Sequence, residues 1–488
     1  MNPRGAVRRC NERSSDHMQH PTYESRAWVD FLPGWARVAD LATVMLVGAS
    51  ATIAMSGGFR MKVGTWHVAM TSPARIALWA VAIAAIRHGV VRRHSILSHV
   101  SARVVRMVRS ESLRTSAGVT AVTCPLIWLI GFLALSTIGY APGASPFHDF
   151  SSELVNLPLR WDAGWYLQIA VNGYQFVRDA EPQLQQNVVF FPAYPMLVRL
   201  IALVCGNSMG AYVFAGVFAS LAFFAIGLAY LYRIARTVLD VEQSTATLWL
   251  MATYPFALFF GAIYAESLYF AASAGAFLHV RRREWWPAAL WAFVAGATRP
   301  PGFLLCVPLA IAVFEDARNS GDWSGRAIAV TLAPLAAVAC YSAFVWQLAG
   351  SPIAWATGHA AWGRHYRGVS QIVTDRYNFI ASAGLRAYVA EQPFDLLNAL
   401  GLVFSLVSLI PLARRFSIAL AAFVVINVLP GALTGGMLSM GRFSSVAFPA
   451  FLWLAAATPA RHRPAWMTAF ASLQALNATL FYTWRPLF

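Results

Sequence analysis

The stretch GAYVFAGVFASLAFFAIGLAYLY, residues 210–232, carries no charge from end to end. Wound as a helix rising about 1.5 Å per residue, it is long enough to cross a hydrocarbon core of roughly 30 Å. Runs of the same kind recur at 38–57, 69–88, 119–140, 244–262, 263–280, 286–298, 299–314, 327–349, 394–413, 417–433, 446–460 and 465–482. The composition agrees: of 488 residues, 58% are hydrophobic and only 12% charged, against about 25% charged in soluble domains. The sequence predicts an all-α polytopic membrane protein with about 11–14 transmembrane helices. The run at 188–205 breaks the parity of charges if it spans, so it is expected to be re-entrant or interfacial.

The formal net charge is +16. Nearly all of it is arginine, Lys62 being the only lysine. With the N-terminus inside, alternation of the spans places Arg87 to Arg114, Arg233 and Arg236, Arg281 to Arg283, Arg414 and Arg415, and Arg461 and Arg463 on the cytoplasmic side. That is the bias of the positive-inside rule, and it accounts for the charge without nucleic acid as a partner; membrane lipids are the expected counterpart. The five cysteines, Cys10, Cys124, Cys205, Cys306 and Cys340, have neither metal-ligand nor disulfide-framework spacing. Residues 1–37 read as a polar, basic cytoplasmic tail without the pattern of a cleaved signal peptide. Residues 38–118 read as an N-terminal two-helix addition with a basic cytoplasmic stretch, and 119–488 as the core.

Set into the apolar background is a polar island, 141–190, with Arg160-Trp161-Asp162-Ala163-Gly164-Trp165-Tyr166 at its centre. It forms the first long outer loop of the core. Ionisable groups at a membrane are costly to keep and therefore mark function. On the predicted topology the same face collects Glu266, Arg299, a loop at 350–393 with Trp355, His359, Trp362, Arg364 and His365, and finally Arg442. Outer arginines run against the positive-inside bias, and an anionic ligand held at the surface gives them a reason. Structural alternatives stand beside these readings. Asp162 suits a helix N-cap or an ion pair with Arg160, Glu266 a buried hydrogen-bonding group, Arg299 a helix C-cap, and Trp355 with Trp362 an interfacial anchor. His359 and His365, six apart and without a nearby carboxylate, do not suggest a metal site.

The run from Arg160 to Tyr174, with Asn172-Gly173-Tyr174 closing it, resembles the signature of the PIG-V family of GPI mannosyltransferase 2-like enzymes and their bacterial relatives. Phe190-Phe191-Pro192-Ala193-Tyr194-Pro195, Tyr264-Ala265-Glu266-Ser267-Leu268, Thr298-Arg299-Pro300-Pro301-Gly302, Ala361-Trp362-Gly363-Arg364 and Ser439 to Pro449 resemble further blocks in order, from about 119 to 482. The resemblance implies a GT-C type glycosyltransferase. Such an enzyme takes mannose from a polyprenyl-phosphate donor and passes it to a hydroxyl of a lipid or glycan acceptor at the extracytoplasmic face.

The residue chemistry is compatible with that reaction. Inverting transfer needs a carboxylate to take the acceptor's proton, and Asp162 is the candidate base in 141–190, the catalytic outer loop. Arg442 and Arg299 are candidates to hold the donor phosphate, with Glu266 in support. Arg160, Trp161, Trp165, Tyr166, Trp362 and Arg364 are further candidates for substrate binding. No Asp-x-Asp pair and no glycine-rich loop followed by lysine occurs, so neither a metal nor another cofactor is expected. The arginine-rich composition and the ending Trp484-Arg485-Pro486-Leu487-Phe488, without a retrieval tail, point to a bacterial cytoplasmic membrane. Two competing readings remain in view: a lipid flippase or transporter, for which Asp40 is the one inviting intramembrane acid, and a protein O-glycosyltransferase of the same fold.

Overall fold

The computed structural model describes residues 33–56, 59–63, 66–70, 72–91, 109–178, 181, 183–366 and 368–487. Most of the predicted tail at 1–37, and much of the basic stretch before 119, lie outside the described residues. The chain divides into two compact units, Met1–Met107 and Val108–Phe488.

In the first unit, helices α1 (Gly34–Ser56) and α2 (Pro73–Val90) pack together, with an antiparallel hairpin between them of β1 (Phe59–Val63) and β2 (Trp66–Met70). Asp40 on α1 is buried and accepts a hydrogen bond from Arg87 Nη2 on α2 at 2.9 Å. The acid that invited a transport reading is therefore paired within its own unit.

The second unit contains α3 (Glu111–Ile138), α4 (Ala163–Asn172), α5 (Ala193–Val204), α6 (Met209–Ala235), α7 (Val241–Ala252), α8 (Glu266–Arg281), α9 (Trp285–Gly296), α10 (Cys306–Ser320), α11 (Ala327–Ala349), α12 (Val369–Ala383), α13 (Pro393–Arg415), α14 (Ile418–Gly435), α15 (Met440–Ser445), α16 (Pro449–Ala457) and α17 (Arg463–Tyr482). Among the described residues, seven helical stretches are long and apolar enough to cross a membrane: α1, α3, α6, α10 with the 3-10 turn before it, α11, α13 and α14. The chain is thus a multi-pass membrane protein.

Several of the other apolar runs read from the sequence fold as helices shorter than those seven. The apolar run at 244–262 stops being an α-helix at Ala252, shortly before Pro255, and continues as a 3-10 turn, Ala257–Phe260. The runs at 286–298 and 446–460 yield α9 and α16, at 12 and 9 residues, or roughly 18 and 14 Å. At 16 residues α8 is short as well, and nearly all of it is buried. A helix surrounded by protein is apolar on every side, so hydropathy reads interior as span. The run at 188–205 gives α5, 12 residues or about 18 Å, shorter than the hydrocarbon core.

These short pieces position the polar residues. Helix α8 packs against α6 and α9, and α15 against α13 and α14. Glu266 therefore begins an almost wholly buried helix, while Arg442 sits on a six-residue helix packed against longer ones. Close approach also fixes the segment after α9. A Cβ on Gly302 would lie 2.0 Å from the Ala295 carbonyl oxygen, a backbone atom with no rotamer to retreat into. Gly302→Ala is expected to lower stability by about 1–3 kcal/mol and to loosen Arg299, measured as earlier thermal unfolding in detergent.

Candidate active site

Asp162 occupies the N-cap position of α4, yet its side chain makes no capping bond. Instead its Oδ2 accepts from Arg442 Nη1 at 2.6 Å, across 280 residues of sequence. Its backbone N–H donates to the Tyr264 hydroxyl at 3.1 Å, and that hydroxyl donates to the Arg160 carbonyl at 3.3 Å. The turn before it is strained: Trp161 has φ 54°, a region a bulky side chain enters only when its surroundings demand it. The surroundings are Trp484, whose ring lies 4.7 Å from that of Trp161, and the Phe481 carbonyl, which accepts from the Trp161 indole at 3.0 Å.

Glu266 is 1% exposed. Its Oε1 accepts from Arg442 Nε in a short bond and from Arg299 Nη1 at 3.4 Å, while its Oε2 is buried with no partner among the described residues. Arg299 stands in extended backbone, as a residue before proline prefers, between α9 and the 3-10 turn Pro300–Leu305. Its guanidinium lies over the rings of Tyr269 and Phe443 at 5.4 and 5.2 Å. Arg442 is aimed inward by its turn: Ser439 before it has φ 62°, and the Gly441 N–H donates to Asn398 Oδ1 at 2.8 Å. Burial opposes the Arg442 charge, but Glu266 and Asp162 outweigh burial and raise its pKa further. Asp162, Glu266, Arg299 and Arg442 thus form one chain of ion pairs, two acids and two bases.

This quartet lines a cavity of about 430 Å³, within the size range of small-molecule sites. Tyr166, Trp362 and Arg364 line it too, along with Trp355 and His359. Arg160, Trp161 and Trp165 are not among its lining residues. Arg160 is fully buried and donates to the carbonyls of Tyr482 (3.0 Å) and Asn156 (2.7 Å) and to the Tyr140 hydroxyl (2.9 Å), so it fastens the loop to the end of α17. It does not pair with Asp162, the alternative considered from sequence. Trp165 stands behind the wall, 5.9 Å from Phe190 and 5.7 Å from Trp362 between ring centroids. The Trp355 indole donates to Ser342 Oγ at 2.9 Å. His365 is exposed outside the cavity, and among the described residues no group of three His, Cys, Asp or Glu is placed to hold a metal.

Sequence reasoning passed over Tyr264 and Phe443. Both lie within quoted motifs, but only the folded chain shows Tyr264 seating Asp162 and Phe443 lying under two guanidiniums, those of Arg299 and Arg364.

A family described as Mannosyltransferase (PIG-V) matches residues 140–317. GPI mannosyltransferase 2 of Schizosaccharomyces pombe is 27% identical over 151 residues, covering 30% of this chain and 30% of that relative. The resemblance read from motifs between 119 and 482 is therefore found over a shorter stretch, and Arg364 and Arg442 reach the site from outside it. Over residues 140–317, which supply Asp162, Glu266 and Arg299, this chain matches the PIG-V mannosyltransferase family.

Proposed function

We propose that the protein is an inverting membrane mannosyltransferase of GT-C type, using a polyprenyl-phosphate-mannose donor and a lipid or glycan acceptor. The observation that carries this reading is the convergence of Asp162 with the Glu266, Arg299 and Arg442 ion pairs on one cavity, within a chain that matches mannosyltransferases. The acceptor oxygen attacks the anomeric carbon and forms the new glycosidic bond. The bond from that carbon to the donor phosphate oxygen breaks, and its electron pair leaves with the phosphate. The acceptor's proton goes to Asp162. Arg442 holds Oδ2 of that carboxylate, while Oδ1 makes no bond among the described residues and is the atom that takes the proton. Arginines nearby favour the charge developing on the leaving phosphate.

Tyr166 and Trp362 supply flat walls for the sugar, and the unpartnered Glu266 Oε2 offers an acceptor for one of its hydroxyls. We place the cavity at the extracytoplasmic face, the side that the PIG-V resemblance implies, of a bacterial cytoplasmic membrane, to which the arginine-rich composition points. The test is transfer from radiolabelled polyprenyl-phosphate-mannose by purified protein in nanodiscs, with a total lipid extract as acceptor. Label is expected to leave the carrier and appear in a product that identifies the acceptor. A carrier that keeps its label with every lipid and glycan acceptor offered would overturn the donor assignment.

A further inference from the structure

The charges lining the cavity do not cancel. Asp162 and Glu266 are matched by Arg442 and Arg299 through the contacts above, and the group of four is neutral. Arg364 is left over. No carboxylate among the described residues lies within ion-pair distance of it, and its one polar contact is a long one, Nη2 to the Leu438 carbonyl at 3.5 Å. Its guanidinium rests over the Phe443 ring at 4.9 Å and beside the C-terminal end of α14. A Cβ on Gly435 would come within 2.9 Å of Nη1, so that glycine leaves the space the guanidinium fills. Burial, and then repulsion from Arg442, outweigh a weaker attraction from Asp162 and lower its pKa to about 10, which still leaves it charged at neutral pH. A half-buried guanidinium with no carboxylate in contact is an unfavourable arrangement until an anion arrives.

A second group beside it is unsatisfied. His359 Nε2 is buried without a hydrogen-bond partner, and the residue lines the same cavity. Gly363, at φ 71°, turns the chain so that the Arg364 N–H donates to the His359 carbonyl at 3.3 Å. The two side chains therefore belong to one tight turn. Burial and the Arg364 charge push the imidazole down to about 4, so at neutral pH it is uncharged and acts by hydrogen bonding.

We infer that Arg364 and His359 form the subsite for the donor's phosphate, a refinement that rests on the proposed reaction. A sugar–phosphate–polyprenol is a phosphodiester with one negative charge, and one positive charge in the cavity is uncompensated. Arg442 and Arg299, nominated from sequence for this task, are already engaged by carboxylates and serve to hold those. When the anomeric bond breaks, the phosphate gains charge, and Arg364 is the cation free to meet it with paired hydrogen bonds.

The test compares wild type, Arg364→Gln, Arg364→Lys and His359→Ala in nanodiscs. It measures binding of a short polyprenyl phosphate and of the matching phosphate-free polyprenol, together with KM and kcat for the donor. Arg364→Gln is expected to weaken the phosphate ligand about 10- to 100-fold and to raise donor KM in step. Binding of the polyprenol should stay unchanged. Arg364→Lys should recover part of the loss, and His359→Ala should weaken the phosphate ligand several-fold with the charge retained. Unchanged polyprenol binding also shows that the variants are folded. If Arg364→Gln misfolds, His359→Ala with Arg364→Lys carries the same comparison. Wild type that transfers sugar, with variants that bind polyprenyl phosphate equally well, overturns the subsite alone. Wild type that neither binds polyprenyl phosphate nor releases label overturns the donor assignment and the subsite with it.

Discussion

Asp162→Asn is expected to reduce sugar transfer about 10²- to 10⁴-fold, the range for loss of a positioned general base, while the protein still folds. The amide keeps the shape of the side chain and can still accept from Arg442, but it cannot take a proton from the acceptor. The fold should tolerate the change for two reasons. Arg442 retains Glu266 as a counter-charge, and the Asp162 side chain is 21% exposed, so water reaches it. Donor KM should move little, because the residue acts on the acceptor's proton and not on the phosphate. The measurement is kcat and donor KM beside a thermal unfolding curve. Transfer at the wild-type rate by a folded variant would remove Asp162 as the base.

Glu266→Gln is expected to do the opposite kind of damage. This side chain is 1% exposed and takes bonds from two guanidiniums that are themselves 8% and 12% exposed. Neutralising it leaves Arg299 and Arg442 facing each other with only Asp162 to balance them. Removing one partner of a buried pair typically costs about 3–5 kcal/mol, because the charge left behind is out of water and unpaired. Unfolding in detergent should therefore begin well below the wild-type temperature, and activity should fall with it. Glu266→Asp, which keeps the charge on a shorter stem, should recover part of the stability. An unaltered unfolding curve for Glu266→Gln would show that the ion-pair chain contributes little to holding α8, α15 and the segment after α9 together.

The contrast between these two carboxylates was only partly legible in the sequence. Asp162 stands out because it lies between aromatics in the long polar stretch at 141–190, and an acid set among aromatics there invites a chemical role. Glu266 sits at the end of an apolar run, where a helix start, a buried structural group and a site residue leave the same local trace. Arg160 shows the reverse error. It adjoins Asp162 and shares its motif, which nominates it for substrate, yet its guanidinium points to the end of α17 and its acceptors are all protein atoms. Neighbours in sequence at a turn face in different directions, so a motif shows that a turn matters without showing which side chain faces the cavity. The short apolar helices follow the same logic. Hydropathy measures how apolar a segment is, and α8 and α16 are apolar because protein surrounds them.

By itself the sequence determined that this chain belongs in a membrane, that it is helical, that its charge is gathered at particular points, and that Asp162 is the acid to watch. Those properties are local: run length, composition and the spacing of a few unusual residues settle them. Only the tertiary structure decided the pairing. Asp162 meets an arginine 280 positions away, Arg299 and Arg442 are neutralised by the carboxylates, and Arg364 is left without one. A charge acts through what lies within a few ångströms of it. No spacing in the chain records those distances, because they arise from helices packing across one another.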